Sequence, residues 1–434
     1  MGFLFFSLIL FIFSFSGTAN GLDLLECYNK AKEYEPYYLS VYHEYRAAQT
    51  LPKQALASLL PQIEVNYRRM KYDFESAPQY YVDYTAESTS ILLQQALFQL
   101  PLIFEYKKSN LKKLMGEKKF KYVEQELIKR VTDAYFETLY YEENLKILEE
   151  EKKAIFEQVK MIKKLLDAGE ATLTDLYDAE AKYSNIQFRI IEAEKNFFIA
   201  KNNLRRIVGE EINFLAKLDE SIVFYELEPS TIEDWIAIAK ENNNLIKYYS
   251  ISKDVANFEV KKQISERLPK VSFVAGYTET NTIEYIKTYP LTYYSFGFQI
   301  RLPIFTGGYI TAKEKEAKEL FEKAQKDYES AVSDVVQEIF NNFFGVKTAL
   351  AQIYSAESAL RASEIALESS KKGYKAGIRT IVDVLNAESN FYRAKLELVK
   401  AKYDYIKYLV GLKYYAGVLN EEDVKKINQW LIRR

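Results

Sequence analysis

Between residues 171 and 208 apolar side chains recur alternately three and four apart: Leu176, Ala179, Tyr183, Ile186, Ile190, Ala193, Phe197, Ala200 and Leu204. Residues 379–416 repeat the pattern at Val384, Ala387, Phe391, Ala394, Leu398, Ala401, Tyr405, Tyr408 and Leu412. This is the a/d seam of a coiled coil. The stretch before the second seam answers with Ile339, Val346, Ile353, Leu360, Leu367 and Tyr374, seven apart. Long helices over 101–168 and 308–375 should therefore fold back antiparallel on the seam helices. The turns fall at Gly169 and Gly377, each suited to a left-handed helix-ending position. About 68 residues at 1.5 Å each make a rod of roughly 100 Å, whereas globular helices rarely exceed about 25 residues. The heptads alone also fit an ordinary helical hairpin bundle; the length suggests a device that spans a distance.

Elsewhere the period is two. Over 291–303, Tyr294, Phe296, Phe298, Ile300 and Leu302 alternate with Ser295, Gly297, Gln299 and Arg301. Over 269–279, Val271, Phe273, Ala275 and Tyr277 alternate with Ser272, Val274, Gly276 and Thr278. In 61–74 the apolar phase moves from Ile63, Val65 and Tyr67 to Met70, Tyr72 and Phe74, which suggests a bulge. The partner strand, roughly 82–96, carries the weakest pattern. Segments of about ten residues, apolar on one side and rich in Tyr and Phe, fit outer-membrane strands; a soluble sheet with one buried face fits them equally.

The two halves agree when the chain is shifted by 208 residues. Leu60-Pro61-Gln62-Ile63 meets Leu268-Pro269-Lys270-Val271, Ala168-Gly169 meets Ala376-Gly377, and Ala179-Glu180 meets Ala387-Glu388. One offset holds from about 24–212 onto 232–420, which signifies duplication. Residues 22–228 and 229–434 then form two structural repeats. Each has a helical stretch (24–58, 232–266) ended by Pro61 or Pro269, a β-hairpin (61–98, 269–305) and a long helical hairpin (101–208, 308–416).

Composition narrows the function. Lys and Arg number 59 against 61 Asp and Glu, a net charge of −2, which excludes the basic excess of a nucleic-acid binder. One cysteine, Cys27, and one histidine, His43, leave no intrachain disulfide and no Cys/His metal cluster. Nothing around His43 organises a catalytic partner, and no cofactor fingerprint occurs, so an enzyme is not expected. The run Glu142-Glu143 and Glu149-Glu150-Glu151-Lys152-Lys153 reads as a solvated helix face or a docking surface. Mean hydropathy of −0.26 excludes a polytopic helical membrane protein. Gly2–Phe15 is apolar but short of the roughly 20 residues a membrane helix needs. Small residues follow, so residues 1–21 are expected to be a secretory signal peptide, an N-terminal anchor being the alternative. Glu26 before Cys27 argues against lipid attachment there.

An exported chain without further apolar helices enters a membrane only through strands. Four strands cannot close, and open edges in lipid leave backbone groups unpaired. Three chains would supply twelve strands, an even number that a closed barrel allows, and their helices would continue the wall as a hollow cylinder. A periplasmic coiled-coil scaffold without a pore is the competing reading.

At Gly373-Tyr374-Lys375-Ala376-Gly377-Ile378-Arg379-Thr380-Ile381-Val382-Asp383-Val384-Leu385-Asn386-Ala387, at Leu302-Pro303-Ile304-Phe305-Thr306-Gly307-Gly308 and at Gly417-Val418-Leu419-Asn420-Glu421-Glu422-Asp423 the sequence resembles the TolC family of outer-membrane efflux channels. The resemblance covers essentially the whole mature chain. It implies an internally duplicated α+β membrane protein and a homotrimer: a twelve-stranded β-barrel in outer-membrane lipid on a periplasmic α-barrel of coiled-coil hairpins, with an equatorial C-terminal segment. Implied partners are a periplasmic adaptor and an inner-membrane RND or ABC transporter, which supplies the energy. The resemblance further implies a gate at the helix turns, with Tyr374 and Arg379 opposite Thr174 and Asp175, an acidic constriction ring at Asp383, and adaptor docking near Gly169 and Gly377. Asn386 stands where the family often has a second acid. Apart from the resemblance, Asp175 and Asp383 read as first-turn acids facing the helix dipole.

Overall fold

The computed structural model describes residues 21–76, 83–219, 221–284 and 287–432. The expected signal peptide, apart from Gly21, lies outside them.

The first half runs α1 (Leu24–Tyr34), α2 (Pro36–Ala48), α3 (Leu51–Ala57), β1 (Gln62–Tyr72), β2 (Tyr84–Phe98), α4 (Leu100–Asp167), α5 (Leu173–Val208) and β3 (Lys217–Leu218). The second runs α6 (Ile232–Asn242), α7 (Asn244–Ser265), β4 (Lys270–Glu284), β5 (Lys287–Arg301), α8 (Tyr309–Lys375), α9 (Ile381–Tyr415), α10 (Glu421–Asn428) and β6 (Leu431–Ile432).

The helical stretches expected over 24–58 and 232–266 are not continuous. Glu35 is extended at φ −66°, ψ 117°, as a residue before proline tends to be, and its carboxylate accepts from the Tyr38 amide at 2.6 Å to start α2. Asn243, its counterpart 208 residues on, is extended in the same way and caps α7 by accepting from the amides of Leu245 and Ile246. A second break at Thr50 precedes Pro52, which sits in the first turn of α3.

The four long strands form one antiparallel sheet in the order β1-β2-β4-β5. The bulge expected in 61–74 is absent: the β1–β2 ladder is unbroken from Gln62↔Gln94 to Tyr72↔Tyr84. The apolar phase changes along β1 without one because neither face is buried within the chain; Tyr67 and Met70, on opposite faces, are both exposed. The irregularity lies instead between Ala96 and Phe98, where β2 meets β4.

Register decides what each face carries. Val65 pairs with Ile91, Ile91 with Tyr277 and Tyr277 with Tyr294; two residues along each strand, Ile63, Leu93, Ala275 and Phe296 line up likewise. One apolar face thus runs across all four strands, with Phe296 84% exposed. The rings of Phe273 and Phe298 meet edge-on at 5.8 Å upon it. The opposite face carries Glu64, Asn66, Ser90, Thr278 and Ser295. The outer edges of β1 and β5 have no partner strand in this sheet.

The main core lies where α1, α2, α10 and the short strands wrap the upper parts of α4, α5, α8 and α9. Tyr135 on α4 is buried there, and its hydroxyl donates to the carbonyls of Leu22 (3.1 Å) and Ala216 (2.7 Å). Cys27 is fully buried in this core, and burial pushes its thiol up to about 12, so it is a packing residue.

The candidate gate at the helical tip

Away from the sheet, α4 and α5 form one helical hairpin, and α8 and α9 form the other. Each turn closes in the same way. Glu170 donates its amide to the Leu165 carbonyl at 2.8 Å across Gly169, at φ 74°. Ile378 donates to the Gly373 carbonyl at 2.9 Å across Gly377, at φ 72°. Both turns are glycine-closed helix ends of the Schellman type.

The next helix then starts on a reciprocal cap. Thr172 donates its amide (3.0 Å) and hydroxyl (2.7 Å) to Asp175 Oδ2, and the Asp175 amide donates back to Thr172 Oγ1 at 3.2 Å. Thr380 and Asp383 repeat this with 2.9, 2.9 and 3.2 Å. Such boxes satisfy otherwise unpaired amides at a helix start. The bonds from Thr380 hold the Asp383 carboxyl below its usual range, with the Arg379 charge adding to the effect.

Within one chain, part of the gate set comes together. Tyr374 is half-buried against the distal cluster; burial raises its hydroxyl pKa, and the charges of Asp175 and Glu170 on the other hairpin add to it. Arg379 is exposed and makes no ion pair among the described residues, so no Arg379–Asp175 bond forms within a protomer. Thr174 is exposed beside Asp175. Asn386 Oδ1 accepts from Lys182 Nζ on α5 at 2.6 Å, a link between the two hairpins.

The distal cluster shows why α9 unites the hairpins. Leu148, Ile155, Val159 and Ile162 of α4 pack with Ala179, Ile186 and Ile190 of α5 and with Ile381, Val384 and Leu385 of α9. The last buried residue of α8 is Ala356.

The acidic run of α4 is more than a solvated face. Glu143 accepts from the Tyr403 hydroxyl at 2.9 Å, and Glu150 from Lys395 at 2.7 Å. Glu151 is buried, 3.4 Å from Arg189. Glu388 on α9 is buried too, with Oε1 3.3 Å from Lys371 and Oε2 without a partner. Neither acid was singled out from the sequence as a core residue. The signal existed: Glu151 continues the apolar spacing of Leu148 and Ile155, and Glu388 that of Val384.

His43 is exposed on α2, its ring 5.4 Å from that of Tyr42. Among the described residues, no group of three His, Cys, Asp or Glu could hold a metal ion, and no helix is long and apolar enough to cross a membrane.

An apolar sheet with open rims on two rods of roughly 100 Å defines the subunit of an outer-membrane channel with a large periplasmic part. The chain belongs to the outer membrane efflux protein family, whose model matches residues 27–210 and again 235–418. It is 30% identical to the outer membrane protein TolC of Vibrio cholerae over 415 residues, covering 94% of each chain. It is 28% identical to the alkaline protease secretion protein AprF of Pseudomonas aeruginosa over 424 residues, 94% of this chain and 87% of that one. Among solved structures, the CmeC outer membrane channel of Campylobacter jejuni superposes with a TM-score of 0.81 at 16% identity, covering 94% of this chain and 90% of that one. VceC of Vibrio cholerae gives 0.78 at 17%, covering 91% and 96%. The family is one of efflux and secretion ducts, not of enzymes.

Proposed function

We propose that the protein is the passive exit duct of a tripartite efflux pump or type I secretion system, assembled as a homotrimer. The observation that carries this reading is the apolar face across all four strands combined with the unpaired rims of β1 and β5. In lipid such rims must find strands. A second copy's β5 against β1, repeated three times, makes a closed ring of twelve. The helical hairpins then continue the wall into the periplasm, where a periplasmic adaptor and an inner-membrane RND or ABC transporter deliver cargo and energy.

The gate of this duct is the tip. Tyr374 and Arg379 of one hairpin face Thr174 and Asp175, the Arg379 bond to Asp175 being made across the protomer boundary. Asp383 lines the constriction beyond its capping bonds. The turns at Gly169 and Gly377 offer the adaptor its footing. An Arg–carboxylate contact contributes about 1–3 kcal/mol, so three symmetric copies hold a ring that a docked partner can open.

Light scattering in detergent and planar-bilayer recording test the reading. Trimers that insert and conduct ions are expected. A mature chain that is monodisperse, monomeric and stable in buffer without detergent would overturn it.

A further inference from the structure

Midway along the second hairpin, α8 and α9 leave a groove of about 710 Å³ between them, floored by Gly345, Ala349, Ala356 and Ala401 and rimmed by Glu397 and Asp404 with Lys400 between them. At one end the Tyr408 ring lies close against the bare backbone of Gly345, where a Cβ would stand 2.5 Å from it. At the other end of the row α8, α9, α4, α5, the helix α5 carries an apolar ridge that no described residue covers: Phe198 is 72% exposed and Ile199 51%.

The contacts between helices fix how high each feature stands above the tip. Lys182 on α5 bonds Asn386 on α9, and both helices run away from the tip. Sixteen residues further along each stand Phe198 and Lys402. The ties from α4, Glu151 to Arg189 and Glu150 to Lys395, give the same alignment to within about two residues, or roughly 3 Å. Lys402 lies within the groove's α9 wall, which extends from Glu397 to Tyr408. Ridge and groove are therefore level.

Level features on opposite sides of a protomer are what a ring needs. Rotation about an axis parallel to the helices changes no height, so a helix of one copy meets the next copy only at its own level. Such a contact is heterologous and closes into a ring. Charge agrees with shape. Lys195 and Lys201 flank Phe198, three residues to either side, and stand level with Glu397 and Asp404 to within about two residues. Among the described residues none of these four makes a hydrogen bond or ion pair within its own chain.

Resting on the trimeric reading above, we infer that the α5 ridge of each copy seats in the α8–α9 groove of its neighbour, Phe198 as the apolar anchor and Lys195 and Lys201 reaching Glu397 and Asp404. This joint lies in the helical wall, far from the strand rims, and forms a second seam of the ring.

Paired cysteines test it in the full mature chain purified in detergent, with buried Cys27 retained. F198C with Q352C, which stands in the groove at the same level, should form covalent trimers under mild oxidation. Each single variant, and F198C with S330C far along α8, should not. As a second arm, D404K should weaken the trimer in light scattering, and K201E added to D404K should restore it. Intact trimers in which F198C/Q352C fails to cross-link, or cross-links no better than F198C/S330C, would overturn the joint while leaving the trimer standing. A wild-type chain that is monomeric in detergent would overturn the trimer and the joint together.

Discussion

Arg379 folds back over Gly373: the Gly373 carbonyl accepts from the amides of Ile378 (2.9 Å) and Arg379 (3.2 Å), and a Cβ added at Gly373 would stand 2.7 Å from Arg379 Cγ. The missing side chain at 373 thus sets where the guanidinium stem leaves the turn. Arg379 is exposed there and makes no ion pair among the described residues. Arg379→Ala and Asp175→Ala should each raise single-channel conductance in planar bilayers, because each removes one side of the proposed gate contact. Gly373→Ala should raise it too, by displacing the stem while keeping the charge. Unchanged conductance in both Arg379→Ala and Asp175→Ala would end the gate assignment.

The turns make a different kind of demand. Gly169 and Gly377 sit at φ 74° and 72° with open space where a Cβ would go. Strain is then purely conformational. Gly169→Ala or Gly377→Ala should cost about 1–2 kcal/mol of local stability, and Asn less, because Asn tolerates the left-handed region. Hydrogen exchange of the amides around 165–175 and 373–383 would read this, with fraying confined to the substituted turn.

How much of this was legible depended on distance along the chain. The rod α8 could be read because apolar residues recur every seven from Ile339 to Tyr374 and a glycine ends it, and α4 because the chain repeats at an offset of 208. The capping boxes at Thr172 and Thr380 were equally local, each a Thr with an Asp three residues on. The break at Glu35 was readable from Pro36, which follows it directly. Lys182–Asn386 and Glu150–Lys395 were not readable at all. They join residues more than 200 positions apart, and only the mutual register of four helices brings them together. The cross-sheet face needed register for the same reason, since β2 alone shows little alternation.

Glu388 presents a buried acid whose second oxygen, Oε2, finds no donor. An orphaned buried polar atom costs about 1–3 kcal/mol, and Lys371, its side chain 45% exposed, stays solvated when the buried acid is removed. Glu388→Met should therefore leave the second hairpin as stable as before, or more stable by about 1 kcal/mol. Lys371→Ala, which strips Oε1 of the cation 3.3 Å away, should destabilise it. Urea unfolding followed by helical circular dichroism orders the two variants; a Glu388→Met chain less stable than Lys371→Ala would refute this.

Glu151 makes the same interface sensitive to pH. It is buried on α4 and faces Arg189 and Lys182 of α5 and Glu388 and Arg393 of α9. Burial is the largest influence and raises its carboxyl pKa; Arg189 opposes this, and Glu388 adds to it. A carboxyl whose folded value lies above the unfolded one, about 4.3, binds its proton more tightly in the packed hairpins. The stabilisation is complete below that unfolded value and is lost as pH rises through the raised one. In urea titrations the wild-type chain should lose stability across this window. Glu151→Gln, neutral throughout, should not, so the variant's advantage should grow with rising pH and then level off. Arg189→Ala should widen the window upward, since it removes the main charge opposing the shift. A gap between wild type and Glu151→Gln that stays constant from pH 4 to pH 8 would mean that Glu151 is solvated in the assembled protein and that the packing of α4 against α9 opens around it.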